Sequence, residues 1–289
     1  MTSVLYDAPG PRAKARNWIY SGVFLVLCAA GLWWVLSSMA DKKQLDADKW
    51  SPFFTDSQVW TTFLLPGLGE TLLAGAISMA IALPLGALLG IGRLSDHVWV
   101  RAAVGAWVEF FRAIPVLMLM LFGSAFYVKY TGVSHEIRPL YAAVTGLVLY
   151  NSAVIAEIVR AGVHSLPGGQ TDAAKAIGMR KGQVMTYVLL PQAVTAMLPA
   201  LVSQLVVILK DTAIAGAVLG LAELMSVNRQ ISANFSNTIP TLVVIAVLYI
   251  AVNFAITTFA SWLEGRLRKS KKTTDAIVPA TEFDGGAAA

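Results

Sequence analysis

The sequence predicts an all-α integral membrane protein with six transmembrane helices, and three observations predict it. Of its 289 residues, 56% are hydrophobic and only 13% charged, with a mean hydropathy of +0.65; a soluble domain carries about 25% charged residues. Six apolar runs, at 17–40, 71–92, 113–128, 139–156, 182–209 and 230–263, approach or exceed the roughly 20 residues a helix needs to cross the hydrocarbon. No period-two alternation competes, which argues against a barrel. Together these exclude a disordered chain, a fibrous protein and most cytosolic enzymes.

The first run follows Arg12, Lys14 and Arg16 and reads as a retained anchor. A cleaved signal ending at Ser38-Met39-Ala40 is the rival reading, but the run exceeds the usual apolar stretch of about 7–15 residues. Residues 41–58 form a charged external linker. Leu65-Pro66-Gly67-Leu68-Gly69 is a breaker cluster that opens the second run. Gly86 and Gly90 there form a small-xxx-small pair, as do Gly216 and Gly220 later, and either pair lets helices pack closely. The third run is bounded by Arg112 and Lys129, whose long stems can snorkel. Pro84, Pro115 and Pro199 fall inside apolar runs, where they bend helices if neighbours satisfy the freed carbonyls. The fifth run ends at Lys210 and Asp211, and the sixth span begins near Ile239. The tail 271–289 is polar and expected to be disordered. The chain divides into 1–66 (tail, first helix, linker), 67–265 (transmembrane domain) and 266–289 (basic tail).

Charge layout sets the orientation. With the N-terminus inside, inside segments hold fifteen of the 22 Lys and Arg residues and outside segments six, leaving Lys210 in or near a span. The positive-inside rule then puts both termini in the cytoplasm. The basic balance is explained without nucleic acid; the cluster Arg266 to Lys272 reads as an anchor on anionic headgroups of the bilayer. The single cysteine, Cys28, excludes an internal disulfide framework, and the scattered His97, His135 and His164 have no metal-ligand spacing.

The most informative segment is the long inside loop from about Glu157 to Leu190. Pro167 and Gly168 make a turn, and Thr171 is expected to cap a helix whose first turn carries Asp172. Gly178 fits a left-handed position that ends this helix sharply. A second helix is expected from near Met179 to Pro191, which restarts the chain into the fifth span. A short helix kept slim by Ala173 and Ala174 and flanked by Arg180 and Lys181 can dock in a groove of another protein.

These residues resemble a motif of bacterial ABC importer permeases: Glu-Ala-Ala, three residues, Gly, nine residues, Ile, one residue, Leu-Pro. Here Asp172-Ala173-Ala174, Gly178, Val188, Leu190 and Pro191 stand at that spacing, with Asp for Glu and Val for Ile. Phe111-Arg112-Ala113-Ile114-Pro115 is similar to the Phe-Arg-Gly-Thr-Pro segment of the polar amino acid (His/Glu/Gln/Arg/opine) permeases. Tyr150-Asn151-Ser152-Ala153, 156–162, Leu209-Lys210-Asp211-Thr212 and Leu221-Ala222-Glu223-Leu224 resemble further segments of that group. The likeness covers about 71–263, and the added first span is most like the glutamate-uptake members.

The resemblance implies a type I (MetI-like) permease core of five helices plus one N-terminal helix, in a bacterial cytoplasmic membrane. It implies half of a dimeric channel for a polar amino acid, glutamate above others. The implied partners are an ABC ATPase subunit dimer, a second and usually different permease giving a heterodimer, and an extracytoplasmic solute-binding protein. ATP and Mg are used by the ATPase subunits. This chain has no Gly-x4-Gly-Lys-Ser/Thr loop and is expected to bind no cofactor and to hydrolyse nothing itself. The implied coupling set is Asp172, Ala173, Ala174, Gly178, Arg180, Lys181 and Pro191. Candidates for the substrate path are Asn151, Ser203, Gln204, Lys210, Asp211 and Thr212; Lys210 can meet an anionic substrate or a subunit–subunit partner. A local Glu157–Arg160 pair is expected at i, i+3. The competing reading is a stand-alone secondary transporter or channel; a membrane enzyme lacks any acid/base, nucleophile or metal constellation.

Overall fold

The structure, a computed structural model, describes residues 10–275, so most of the polar C-terminal tail lies outside the described residues. The described chain is helical without strands. It begins with α1 (Pro11–Asp41), then α2 (Ala47–Trp50), α3 (Pro52–Thr55), α4 (Leu65–Arg93), α5 (Val98–Ala113) and α6 (Val116–Tyr130). Next come α7 (Arg138–His164), α8 (Gly168–Ala176), α9 (Lys181–Gln183), α10 (Leu190–Leu219), α11 (Val227–Phe235) and α12 (Thr238–Asp275). Five helical stretches are long and apolar enough to cross a membrane, and α5–α6 makes a sixth if counted as one broken span.

Four of the six apolar runs lie within longer helices. The third does not cross as one straight rod. Between α5 and α6 the chain turns by 97° at Ile114-Pro115. Proline disfavours a helical conformation for the residue before it, and Ile114 is extended (φ −88, ψ 128). The amphipathic α5, with Arg101, Glu109 and Arg112, is thereby separated from the apolar α6. The fifth run likewise stops short of its helix: α10 continues to Leu219, so Lys210 and Asp211 sit inside it, not at its end.

Wide π turns occur at Val59–Leu64 and at Val184–Leu189, each immediately before a Leu-Pro pair, Leu65-Pro66 and Leu190-Pro191. Proline lacks an N–H and crowds the carbonyl one turn back. A wider turn takes up that crowding without ending the helix. Continuous helices therefore run from Val59 to Arg93 and from Lys181 to Leu219. Pro191 passes through a helix; it does not restart one.

α7 is the axis of the bundle and packs against α4, α5, α6 and α10. Its approach to α4 is made at the Gly86/Gly90 pair: a Cβ on Gly86 would stand 2.6 Å from Ile155 Cβ, and one on Gly90 2.7 Å from Val159 Cβ. On the opposite side Gly146 of α7 admits Met120 of α6, whose Cγ lies 2.5 Å from the position of a Cβ. α1 contributes no buried residue.

The end of the bundle away from α8 is closed by a plug. Phe53, Val59, Leu64, Leu224, Val227, Ile231 and Ile245 form one apolar cluster. Asn237 Nδ2 donates to Lys49 O at 3.1 Å and Trp60 Nε1 to Phe53 O at 2.8 Å. Part of the linker that the sequence reads only as charged and external is thus packed down on the helices.

Gly86→Leu forces α4 off α7 and is expected to destabilise the protein by about 1–3 kcal/mol, read as lower thermal stability in detergent. Gly105→Ala, with nothing within 4 Å of its new methyl, is expected to leave stability unchanged or slightly raised.

Candidate functional site

The candidate residues fall into two sets: a loop at the α8 end of the bundle and polar positions along α7 and α10. The loop is built from its turns upward. α8 starts one turn before the expected cap. Pro167 stands at its N-cap with extended backbone (ψ 131) and no side-chain cap, and Gly168 and Gly169 open the helix. Thr171 and Asp172 are therefore interior positions, with no acidic residue in the first turn. The end is as expected. Gly178 is left-handed (φ +84), its N–H donates to Lys175 O at 2.9 Å, and Met179 N–H donates to Ala174 O at 3.2 Å. This is a Schellman closure, the bond pair that satisfies the last carbonyls of a helix. Nothing lies within 4 Å of a Cβ placed on Gly178, so only the backbone angle demands glycine there.

Ala174 is the buried residue of α8; Asp172, Ala173, Lys175 and Ala176 are exposed. At the tip, Ile177 is 80% exposed, an apolar knob beyond the last turn. Ile177 is not among the residues expected at this tip, although its place before the chain-reversing glycine is a usable signal. The second expected helix is shorter than anticipated at its start. Arg180 is extended and caps α9, with its N–H accepted by Gln183 Oε1 at 2.8 Å.

Two ties fix this loop to the spans. α8 packs on the π turn that leads into α10. Lys181 Nζ donates to the Asp96 carboxylate and, at 3.2 Å, to Leu94 O in the α4–α5 turn. The Lys181 ammonium holds the Asp96 carboxyl below the ordinary carboxylate range. A depressed carboxyl contributes above its unfolded value and loses that contribution as the pH falls through the folded one, so this tie is complete at neutral pH. Beside it, Glu157 Oε1 accepts from Arg160 Nη2 at 2.5 Å, the local pair the spacing predicts. Glu157 Oε2 also meets Arg93 Nη1 at 2.9 Å, and Arg93 reaches Glu109 at 3.1 Å. One charge cluster therefore joins α4, α5 and α7.

The polar positions divide into two groups. Asn151 and Gln204 are buried and face each other: Gln204 Nε2 donates to Asn151 Oδ1, and Asn151 Nδ2 donates to Leu147 O at 2.7 Å. Thr212, also buried, donates to Leu209 O at 2.7 Å. Gln204 and Thr212 lie on the face of α10 turned into the bundle, opposite Asn151 of α7, and Asp211 is half-buried. Ser203 and Lys210 lie on another face, in a cleft of about 430 Å³ between α10 and α12.

Glu223, which the sequence marks only as part of the Leu221-Ala222-Glu223-Leu224 segment, is a buried carboxylate. Glu223, fully buried in the α10–α11 connection, accepts from Tyr249 Oη at 2.6 Å and from Ser226 N–H at 2.9 Å. Gly216 is not a helix-packing glycine. A Cβ there would stand 1.7 Å from Glu223 Oε1, so its missing side chain makes room for the carboxylate. Its supposed pair-mate Gly220 is the left-handed cap of α10 (φ +77).

The comparisons agree with this architecture. The family described as "Binding-protein-dependent transport system inner membrane component" matches residues 82–269. The glutamate transport system permease protein GluD of Corynebacterium glutamicum is 44% identical over 238 residues, 82% of this chain and 86% of that protein. The probable glutamine ABC transporter permease protein GlnP of Bacillus subtilis is 34% identical over 73% of this chain and 96% of its own. Among solved structures, one described as an amino acid ABC transporter with histidines superposes with a TM-score of 0.66 at 27% identity, covering 72% of this chain and 95% of the other. With its membrane-length helices and the short turned helix between α7 and α10, the chain belongs to the binding-protein-dependent transport system inner membrane component family, as a permease subunit of an ABC importer.

Proposed function

We propose that this permease forms half of a channel that brings a polar amino acid, glutamate in particular, into the cell, driven by separate ATPase subunits. The observation that carries the coupling role is α8. It is a short exposed helix closed by a left-handed glycine, tipped by an exposed isoleucine and packed on the π turn that leads into α10, and the loop that carries it is tied through Lys181 to Asp96 in the α4–α5 turn. An exposed apolar side chain on a small rigid projection suits a groove on another protein. The coupling set is Asp172, Ala173, Ala174, Gly178, Arg180, Lys181 and Pro191, now with Ile177. ATP closes the ATPase dimer, α8 moves with it, and the spans switch between inward- and outward-facing arrangements.

In this reading both termini are cytoplasmic, 67–265 is the translocating domain, and the membrane is a bacterial cytoplasmic membrane. A solute-binding protein delivers the substrate to the plugged end, and a second permease completes the channel as a heterodimer. The chain binds no cofactor; ATP and Mg belong to the ATPase subunits. Glutamate as substrate is supported by the 44% identity to the glutamate permease. The substrate path is assigned to the set Asn151, Ser203, Gln204, Lys210, Asp211 and Thr212, with Asn151, Gln204 and Thr212 supporting it from inside the bundle.

Gly178→Val places a β-branched residue at positive φ, at a strain of about 1–2 kcal/mol. It is expected to leave membrane insertion intact and to lower ATP-driven glutamate uptake by at least about tenfold; unchanged uptake contradicts the coupling role. Ile177→Glu puts a charge where the groove is apolar. It is expected to reduce ATPase recovered by mild-detergent co-purification to roughly a tenth, as loss of one central contact does.

A further inference from the structure

α5 and α6 meet at 97°, and the inside of that elbow is hollow. A crevice of about 380 Å³ runs from the last turn of α5 along α6 and the flank of α7. Phe110, Phe111, Phe122 and Phe126 wall it, and all but Phe111 are exposed in the protomer. The two hydroxyls in its wall, Tyr127 and Thr145, are bonded to each other at 2.9 Å, so the crevice offers water no set of polar partners. Along α6 it extends from Leu119 to Tyr127, about 12 Å. Its volume spread over that length gives a mean section of roughly 30 Å². A helix, about 10–12 Å across with its side chains, rests on the rim and leaves the floor empty. A single acyl chain is slim enough to enter and apolar enough to stay.

The helix that bounds the crevice has the pattern of one lying in the membrane surface. At 100° per residue, Trp99, Ala103, Trp107 and Phe110 of α5 share one side, and Arg101, Glu109 and Arg112 the opposite one. A third side packs on α4 and α7 through Val104 and Val108. Trp99 and Trp107 are the residue type that sits at headgroup level. The charged side has a surplus of cations. Along α5 and the adjoining ends of α4 and α7, Arg93, Arg101, Arg112 and Arg160 stand against Glu109 and Glu157. Glu157 is held by Arg93 and Arg160, and Glu109 by Arg93 at 3.1 Å. Arg112 is left with Glu109 at 3.8 Å, too long for a hydrogen bond, and its side chain is 38% exposed. It follows Phe111 in the last turn of α5, at the end of the crevice, with guanidinium donors to spare. Cation and apolar slot together match a phosphate with an acyl chain below it, and the surplus of positive charge favours a headgroup that is negative overall.

We propose that the α5–α6 elbow is a binding site for an anionic phospholipid of the leaflet on the α8 side, with one acyl chain in the crevice and the phosphate on Arg112. The site is separate from the substrate path, and the inference holds whichever amino acid is carried. The test is photolabelling of the purified permease–ATPase complex in lipid nanodiscs by phosphatidylglycerol that carries a diazirine midway along one chain, followed by peptide mapping. Adducts concentrate on residues 116–130 relative to α1, which has no buried residue and reports ordinary lipid contact. Unlabelled phosphatidylglycerol displaces the label about fivefold more effectively than phosphatidylcholine, the worth of one basic residue near anionic headgroups. Arg112→Gln removes that preference and leaves the label map unchanged. Equal labelling of α1 and α6 overturns the proposal, and so does an undiminished preference for phosphatidylglycerol in Arg112→Gln. If Arg112→Gln does not assemble, the wild-type map and competition decide alone. Capture of the second permease by a photoreactive phenylalanine analogue at Phe122 also overturns it, because the crevice is then covered by a subunit and not by lipid.

Discussion

In hydrocarbon, helices gain nothing by hiding apolar side chains from one another, so a bundle there holds together by close contact and by polar ties. The whole arrangement depends on how closely α4 and α6 reach α7. Gly86 and Gly90 let the Ile155 and Val159 side chains lie almost on the α4 backbone, and Gly146 does the same for Met120. With those contacts made, Asn151 and Gln204 meet between α7 and α10, and Arg93 reaches Glu157. A side chain on any of these glycines separates the elements that the polar ties join.

That stiffness gives meaning to the long continuous helix made of α9, the π turn and α10. From Lys181 to Leu219 it runs 39 residues, roughly 58 Å if ideal. α8 is packed at its start, Lys210 lies along it, and the Glu223 carboxylate is seated in the Gly216 notch near its end. A displacement of α8 acts on one end of a rod whose other end is hydrogen-bonded through Glu223 to Tyr249 of α12. The π turn before Pro191 keeps this rod continuous. α8 thus packs on a helix that passes into the span without a break.

Local chemistry was legible in the sequence; meetings between distant segments were not. Apolar length located the spans, and a glycine after a short alanine-rich helix located the left-handed turn at residue 178. The i, i+3 spacing located Glu157–Arg160. The 97° turn at Ile114-Pro115 was missed because a proline inside an apolar run is compatible with a mild bend, and only packing of α5 across α4 and α7 decides its size. Lys181–Asp96 and Asn151–Gln204 join residues far apart in the chain, so no window of sequence contains both partners. Thr171 is a good capping residue by type, yet Pro167 fixes the extended backbone earlier and starts the helix first. Gly216 and Gly220 matched a helix-packing pattern, whereas one seats a carboxylate and the other ends a helix.

The central claim is that α8 sits in a groove of an ATPase subunit. Site-directed crosslinking tests it most directly. Cys28, the single native cysteine, is replaced by serine, and Lys175, exposed on α8, by cysteine. A short reagent, thiol-reactive at one end to bond the new cysteine and photoreactive at the other to insert into whatever surface lies against it, is then applied to the assembled complex and illuminated. A covalent adduct between this chain and the ATPase, absent when the new cysteine is placed at Lys129 instead, is the predicted result. An α8 cysteine that labels freely with a water-soluble maleimide and yields no adduct in the intact complex contradicts the account.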